Sequence, residues 1–313
     1  MQRYKKNLIY AKKICVFVKK VVILQRFMAK IGIFDSGYGG LTILHAIRQQ
    51  LPEYDYLYLG DNARAPYGTH SFDVIYRYTL QAVQYLINKN CALIILACNT
   101  ASAKALRTIQ QIDLPRINEQ MVNEKMVNVL GVIRPTVEVV PSISKSKHVG
   151  ILGTPATVSS ESYVLELEKI APELTVVQQA CPMWVPLIEA GEHDKSGADY
   201  FVEKYLQEIL TQDPQIDTLV LGCTHYPLLK NKIDTFLRDY EITRSRDHEI
   251  KTISQGNLVA DSLKDYLARH PEYRTQLSEN GTCHYLTTEN ADRFSQSASL
   301  FIGSPIQAEH IVL

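Results

Sequence analysis

The chain has 313 residues and lacks the closely spaced cysteine and histidine pairs that hold structural zinc. Its six cysteines lie far apart and form no CxxC pair, at positions 15, 91, 98, 181, 223 and 283. Structural zinc sites draw their ligands from such pairs, so we expect no metal site. The sequence also shows no secretion signal, so we expect free thiols in a reducing cytoplasm.

A hydrophobic run long enough to cross a membrane is also missing. The apolar runs near the start, residues 14–18 and 21–24, are separated by Lys19 and Lys20. A membrane-spanning helix needs roughly 18 or more apolar residues, and a signal peptide needs a small-residue cleavage site after its apolar run. We therefore expect neither a membrane span nor a signal peptide.

Excess charge of one sign is absent from the whole chain, which has 33 basic and 33 acidic side chains. Eight of the basic residues lie in residues 1–27, which contain no acid, so residues 28–313 have 25 basic and 33 acidic side chains. An acidic body excludes a protein that wraps a nucleic-acid backbone. We interpret residues 1–27 as a basic extension outside the fold, upstream of a natural start at Met28. The alternative is a basic helix that binds a membrane surface.

What the sequence does contain is a regular alternation of short apolar strands and amphipathic helices. This alternation predicts βαβ units and parallel sheets that are covered on both faces. The order of elements recurs, with Gly32 matching Gly150 at an offset of 118 residues and Cys98 matching Cys223 at an offset of 125. We predict an α/β fold of two pseudo-symmetric, doubly wound parallel-sheet domains with the active site in the cleft between them. Chance recurrence of a common strand–turn–helix pattern is the alternative.

The two predicted domains are not continuous in sequence. The first comprises residues 28–120 and 232–313, because the last strand and helix are expected to pack back on the first half. The second comprises residues 121–231, and residues 118–128 are the predicted connector. No low-complexity segment marks a further division.

Polar side chains follow the predicted strands at the edge where open α/β sheets bind ligands. Two domains facing each other would bring both cysteines of this set into one cleft from opposite sides. The clusters are Asp35-Ser36, Asp61-Asn62, Cys98-Asn99-Thr100, Thr154 and Cys223-Thr224-His225.

Cys98 and Cys223 together point to catalysis more strongly than either does alone. A single cysteine at a strand end is commonly a small buried residue. A thiol hydrolase would use Cys223 with His225 and leave Cys98 without a purpose, whereas a dithiol redox pair would require contact between the sulfurs. Inversion at a carbon atom needs a base on one face and an acid on the other, of matched strength, and two thiols meet that requirement.

Five segments closely resemble glutamate racemases of the aspartate/glutamate racemase superfamily: IGIFDSGYGGLT, YLGDNARAPYG, LACNTASA, GTPATV and LVLGCTHYPLL. The resemblance covers roughly residues 29–260. It implies a cofactor-independent racemase that binds glutamate and supplies D-glutamate for peptidoglycan, commonly as a homodimer. It also implies that Cys98 and Cys223 are the two catalytic bases.

The same resemblance implies roles for the polar residues near the two thiols. Asp35, Glu189 and His225 would support catalysis, with Asp35 also binding the substrate ammonium or orienting Cys98. Alternatives are a helix cap for Asp35 and a solvated helix-end acid for Glu189. The substrate contacts would be Asp35, Ser36, Tyr67, Gly68, Asn99, Thr100, Thr224 and His225.

The chain departs from the family pattern at ISQGNLVAD, where Gln255 stands in place of the more usual acid–serine pair. We therefore predict no role at this position. Three other functions stay open from the residues themselves. They are racemization of aspartate or a related acid, thiol hydrolysis by Cys223 and His225, and regulation of a partner protein through the basic extension.

Overall fold

A computed structural model of the chain describes residues 28–121, 126–244 and 249–313. The predictions for residues 1–27, and for the middle of the connector, lie outside the described residues. Within the described residues, no helix is both long enough and apolar enough to cross a lipid bilayer.

Ten β-strands lie within the described residues and form two sheets. In chain order they are β1 (Lys30–Asp35), β2 (Tyr56–Gly60), β3 (Cys91–Leu96), β4 (Asn128–Gly131), β5 (His148–Gly153), β6 (Thr175–Ala180), β7 (Thr218–Gly222), β8 (Lys251–Ile253), β9 (Cys283–Thr287) and β10 (Ala308–His310).

The α-helices of the described residues connect these strands and cover the faces of the sheets. In chain order they are α1 (Gly40–Gln50), α2 (Phe72–Asn88), α3 (Asn99–Lys104), α4 (Leu106–Thr108), α5 (Leu114–Gln120), α6 (Ile133–Ile143), α7 (Pro155–Ser159), α8 (Ser162–Ile170), α9 (Trp184–Glu189), α10 (Ser196–Gln212), α11 (Lys230–Arg244), α12 (Gly256–Arg269), α13 (Pro271–Arg274) and α14 (Ala291–Ile302). Short helical turns of other types are Asn62–Arg64, Tyr67–Thr69, Ile109–Asp113 and Tyr226–Leu229.

The second sheet repeats the order of four neighbouring strands of the first. The first sheet runs β10-β9-β2-β1-β3-β4 and the second runs β6-β5-β7-β8, and the paired strands of both are parallel. The order β2-β1-β3-β4 is thus repeated as β6-β5-β7-β8, so β3 corresponds to β7. The predicted fold class, two doubly wound parallel-sheet α/β domains, is confirmed. The strand order reverses between β1 and β3 in the first sheet and between β5 and β7 in the second. Open α/β sheets bind ligands at such a point.

The buried strands explain the apolar runs in the sequence. Strands β2, β3 and β7 are buried along their whole length. Parallel strands covered by helices on both faces lose the alternation of polar and apolar residues, and CALIIL in β3 is an example. Two matched glycines let side chains of the neighbouring strand pack closely: an added Cβ at Gly32 would lie 3.2 Å from Cys91 Sγ, and one at Gly150 would lie 2.5 Å from Leu219 Cδ2.

Two short strands lie in the opposite sheet from the predicted domain assignment. Strand β4 pairs with β3 in the first sheet, and β8 pairs with β7 in the second. The chain therefore crosses between the domains at Val132, between β4 and α6, and returns at Gln255, between β8 and α12. The predicted boundaries at 120/121 and 231/232 come earlier, because they were drawn from the order of elements along the chain rather than from strand pairing. We propose the two crossings as the boundaries.

Candidate active site

The carboxyl ends of the two sheets enclose a cavity of about 80 Å³ between the domains. Residues from strands β1, β3, β5 and β7, or directly after them, reach this cavity, because the carboxyl ends of parallel strands share one edge. All eleven predicted site residues line it: Asp35, Ser36, Tyr67, Gly68, Cys98, Asn99, Thr100, Glu189, Cys223, Thr224 and His225.

Cys98 is the N-cap residue of α3, two positions after the end of β3. Its Sγ accepts a hydrogen bond from the Ala101 N–H at 3.4 Å and lies 3.3 Å from Ser36 Oγ. The residue is only 6% exposed. Burial, and then the charge of Asp35, raise the pKa of Cys98 to about 12, although the bonds from Ser36 and Ala101 oppose this. The thiol is therefore neutral at rest, and a cation beside it would favour the thiolate.

Cys223 directly follows β7 and is also 6% exposed. Its Sγ lies 3.8 Å from His225 Nδ1, and His225 Nε2 lies 3.0 Å from Glu189 Oε1. Burial alone would lower the pKa of His225, but hydrogen bonds to Cys223 and Glu189 outweigh it and raise that pKa to about 10. The histidine is therefore protonated near neutral pH and places a cation beside the Cys223 sulfur. Glu189 thus contacts the site, which excludes a solely solvated role.

Asp35 ends β1 and is buried in the cavity wall. Its Oδ2 accepts a hydrogen bond from the Gly37 N–H at 2.9 Å, while Oδ1 accepts none from the residues that the structure describes. Helix α1 has Gly39 rather than Asp35 at its N-cap. Burial raises the pKa of Asp35, and His225 opposes that rise. A buried acceptor without a donor is costly, so this oxygen suits a ligand that brings an N–H group.

Tyr67 lines the cavity, but its hydroxyl already donates a hydrogen bond within the protein. It donates to Asp61 Oδ2 at 2.5 Å, and the Arg64 Nε donates to the same oxygen at 2.6 Å. The Tyr67 hydroxyl is therefore not free to donate a hydrogen bond to a ligand. Gly68 in this turn faces the second domain, because an added Cβ would lie 2.9 Å from Thr154 Cβ.

The neutral donors near Cys98 are held by the second domain and by the crossing at residue 255. Thr100 Oγ1 lies 3.0 Å from Thr154 Oγ1. The Asn99 Nδ2 donates to Gln255 Oε1 at 2.5 Å, and Asn99 Oδ1 accepts a hydrogen bond from the Tyr163 hydroxyl at 2.7 Å. These contacts fix both side chains in place and leave one N–H of the Asn99 amide for a ligand.

The loop after Cys223 is held in a similar way. The Thr42 hydroxyl, from α1 in the first domain, donates to the Thr224 carbonyl at 3.1 Å. Gly39 lies below this loop, because an added Cβ would come within 2.4 Å of Thr224 Oγ1 and His225 Nδ1. Each predicted donor for a ligand therefore sits beside a contact between the domains.

Sequence reasoning gave no role to two residues that matter here. Cys181 follows β6 and lines the cavity as a third buried thiol. It has the same strand-end position as Cys223, and that position was the signal that could have found it. Gln255 is buried against Asn99 and lies behind the cavity wall rather than in it. No short-range signal indicates that contact.

Among the described residues, no group of three or more His, Cys, Asp or Glu side chains could hold a metal ion. A larger cleft of about 1040 Å³ lies between α10 and α11. It contains neither Cys98 nor Cys223, and its lining is largely polar and open to solvent. We therefore locate the candidate active site by its thiols rather than by volume.

Known proteins with related sequences contain the same arrangement of domains. The family described as Asp/Glu/Hydantoin racemase matches residues 40–239. A glutamate racemase of a Ruegeria species is 39% identical over 89% of this chain and 98% of its own length, and one from Aquifex pyrophilus is 45% identical over 74% and 84%. Among solved structures, glutamate racemase from Francisella tularensis in complex with D-glutamate is similar with a TM-score of 0.76 and 31% identity, over 91% of this chain and 97% of that one. The chain belongs to the Asp/Glu/Hydantoin racemase family.

Proposed function

We propose that this chain interconverts L- and D-glutamate with two thiol bases, Cys98 and Cys223, one of which removes the Cα proton while the other donates its own proton to the opposite face. The observation that supports this most directly is that both thiols line one cavity from corresponding strand ends of two pseudo-symmetric domains. Inversion needs a base on one face of the carbon and an acid on the other. Similarity to glutamate racemases, one of them solved with D-glutamate, supports the choice of substrate.

The proton transfer runs in either direction between the same two groups. In one direction the Cys98 thiolate takes the Cα proton and the Cys223 thiol donates its proton to the opposite face. In the other direction the roles are exchanged. Each passage therefore leaves the two thiols in the protonation states from which the opposite passage starts. Because both groups are thiols, the same kind of base serves each direction.

The three charged groups of glutamate match three features of the cavity wall. The ammonium is placed against Asp35, whose Oδ1 has no donor among the described residues. The α-carboxylate takes N–H and O–H groups of Asn99, Thr100 and Thr224. The side-chain carboxylate takes main-chain N–H groups of the turn Tyr67–Thr69, since backbone N–H groups in a turn form a site for anions.

The two thiols lie beside different charged groups. Burial raises the pKa of Cys98 to about 12, and a substrate ammonium bound beside it and Asp35 would bring that pKa down. Cys223 already has the His225 imidazolium, which Glu189 holds in place. Binding of the substrate therefore favours ionization of the Cys98 thiol.

The proposal includes the setting that the family resemblance implies. The reaction uses no cofactor, the enzyme is a cytoplasmic homodimer, and its D-glutamate is used in peptidoglycan synthesis. A cofactor is unnecessary because two bases on opposite faces are sufficient for inversion.

The test is exchange of the Cα proton in deuterium oxide, followed by proton NMR and circular dichroism without added cofactor. We expect L- and D-glutamate each to exchange and racemize, and L- and D-aspartate to do so far more slowly. Cys98→Ala and Cys223→Ala should both abolish racemization. Cys91→Ala is the matched control, because Cys91 is a buried thiol outside the cavity.

Each contrary result excludes a definite part of the proposal. Full racemization by either alanine variant would exclude the two-base mechanism. Dispensable Cys98 together with essential Cys223 would favour a thiol hydrolase. Faster turnover of aspartate than of glutamate would show that the substrate is wrong.

A further inference from the structure

The two connections between the domains meet at one buried side chain. Gln255 lies at the return crossing between β8 and α12 and is 2% exposed. Its Nε2 lies 3.2 Å from the carbonyl oxygen of Val132, at the first crossing, and 2.9 Å from Thr136 Oγ1 in α6. A single amide therefore joins the segment that leaves the first domain to the segment that returns to it.

Hydrogen bonds pair both N–H groups and the carbonyl oxygen of the Gln255 amide. Its amide donates most closely to the hydroxyls of Thr136 and Tyr163, both at 2.9 Å. The Thr136 hydroxyl donates to the Val132 carbonyl at 2.8 Å, and the Tyr163 hydroxyl donates to Asn99 Oδ1 at 2.7 Å. Buried polar networks of this kind hold one arrangement only while every member is paired.

The network ends on the helical turn that holds Cys98. Asn99 directly follows Cys98 and donates to Gln255 Oε1 at 2.5 Å. The Ala101 N–H in the same turn of α3 donates to Cys98 Sγ at 3.4 Å. A shift of Asn99 would therefore move the N–H group that stabilises the thiolate.

We infer that Gln255 is a positioning residue for Cys98, and that it sets the relative position of the two domains and the position of this base together. The inference rests on the proposed function, since it takes Cys98 as a base. Gln255 touches neither the cavity nor the sulfur and acts through Asn99.

The chemistry of the network explains why glutamine suits this position. The side chain must accept from Asn99 and donate to Thr136 and Tyr163 at the same time, which an amide can do and a methionine cannot. A carboxylate would lack the two N–H groups and would bring a charge into a buried network that contains no cation.

The test compares Gln255→Met with the wild-type full chain. Methionine keeps the size of the side chain and removes the oxygen that accepts a hydrogen bond from Asn99 Nδ2. We expect kcat to fall by about tenfold to a hundredfold, the cost of an unpaired buried amide. Isotope effects on kcat/KM, measured with Cα-deuterated L- and D-glutamate, separate positioning from a loss of folded enzyme.

A slower step at Cys98 changes the two isotope effects in opposite directions. The effect rises for the enantiomer whose proton Cys98 removes, because that step becomes more rate-limiting. It falls for the other enantiomer, because reprotonation by Cys98 then limits the rate instead. Isotope effects that stay equal to those of the wild-type chain for both enantiomers would overturn the inference.

Tyr163→Phe keeps the inference testable if Gln255→Met does not fold. It removes one donor to Asn99, so kcat should fall by about threefold to tenfold and the isotope effects should diverge in the same sense. Its matched control is Tyr56→Phe, since the Tyr56 hydroxyl is also buried and donates to the Leu51 carbonyl at 2.6 Å, away from the site. Identical behaviour of the two phenylalanine variants would overturn the inference, whereas a wild-type chain without Cα exchange would instead overturn the proposed function.

Discussion

Cys98 and Cys223 occupy corresponding positions in the two sheets. The strand before each one, β3 or β7, pairs with the first strand of its own sheet, β1 or β5. Both residues are 6% exposed and line the same cavity. Repetition of one strand order is thus sufficient to bring one thiol from each domain to the same cavity.

The immediate surroundings of the two thiols are not repeated. Cys98 has Ser36 and the Ala101 N–H as partners, and Cys223 has the imidazole of His225. The backbone therefore repeats the positions of the two thiols, while the neighbouring side chains give each thiol different partners. Substitutions on the two sides should consequently have different pH signatures.

Glu189→Gln should change the pH dependence of catalysis. The carboxylate stabilises the His225 imidazolium at 3.0 Å, and a neutral amide does so less well, so the pKa of His225 should fall. We expect the alkaline limb of the kcat/KM profile to move to lower pH by about one unit. Glu192→Gln, an exposed neighbour, is the control. An unmoved alkaline limb would show that His225 does not act as an imidazolium.

Stability should also depend on pH through His225. Its native pKa is about 10 against an ordinary value of 6.5, so the stabilisation is full below pH 6.5 and is lost as the pH rises through about 10. We expect the urea midpoint of the wild-type chain to fall between pH 7 and 9, and His225→Gln to show a smaller fall. The comparison ends at pH 9 because the buried thiols Cys91 and Cys98, with native pKa values of about 12 against 9.0, add a decline above it. Equal slopes for the two chains would contradict the prediction.

The sequence was sufficient to predict that Asp35, Cys98 and Cys223 lie at strand ends that face one cleft. Apolar runs mark strands that are buried on both faces, and polar residues directly after them mark the carboxyl ends of those strands. Parallel pairing brings those ends to one edge, so Asp35, Cys98 and Cys223 meet in the cavity as predicted. This step needs only local patterns and one rule of topology. What these residues do there stays a prediction.

Contacts between distant segments could not be predicted in the same way. The bond between Asn99 and Gln255 joins residues 156 apart, and it depends on how the two crossings pack. The Tyr67 hydroxyl donates to Asp61 only because the turn Tyr67–Thr69 folds back on the end of β2. The positions of the crossings likewise depend on strand pairing, which composition does not reveal.

Tyr67→Phe should weaken substrate binding more than it slows the reaction. The hydroxyl that donates to buried Asp61 at 2.5 Å is lost, so the turn Tyr67–Thr69 is held less firmly. We expect the KM for glutamate to rise by about tenfold and stability to fall by about 1–3 kcal/mol. Tyr76→Phe is the control, since Tyr76 donates to Asp113 Oδ2 at 2.8 Å outside the cavity. An unchanged KM in Tyr67→Phe would separate this turn from substrate binding.

Gly68→Ala should act on the contact between the domains. An added Cβ would lie 2.9 Å from Thr154 Cβ, closer than real Cβ atoms approach their neighbours, and 3.3 Å from Thr154 Cγ2. The cleft must open or the turn must shift, so we expect kcat/KM to fall by about a hundredfold, with stability lowered by about 1–3 kcal/mol. Gly197→Ala is the matched control, because an added Cβ there meets nothing within 4 Å. It should leave activity unchanged and stability equal or slightly higher. Wild-type kcat/KM in Gly68→Ala would mean that the active enzyme does not hold Gly68 against Thr154.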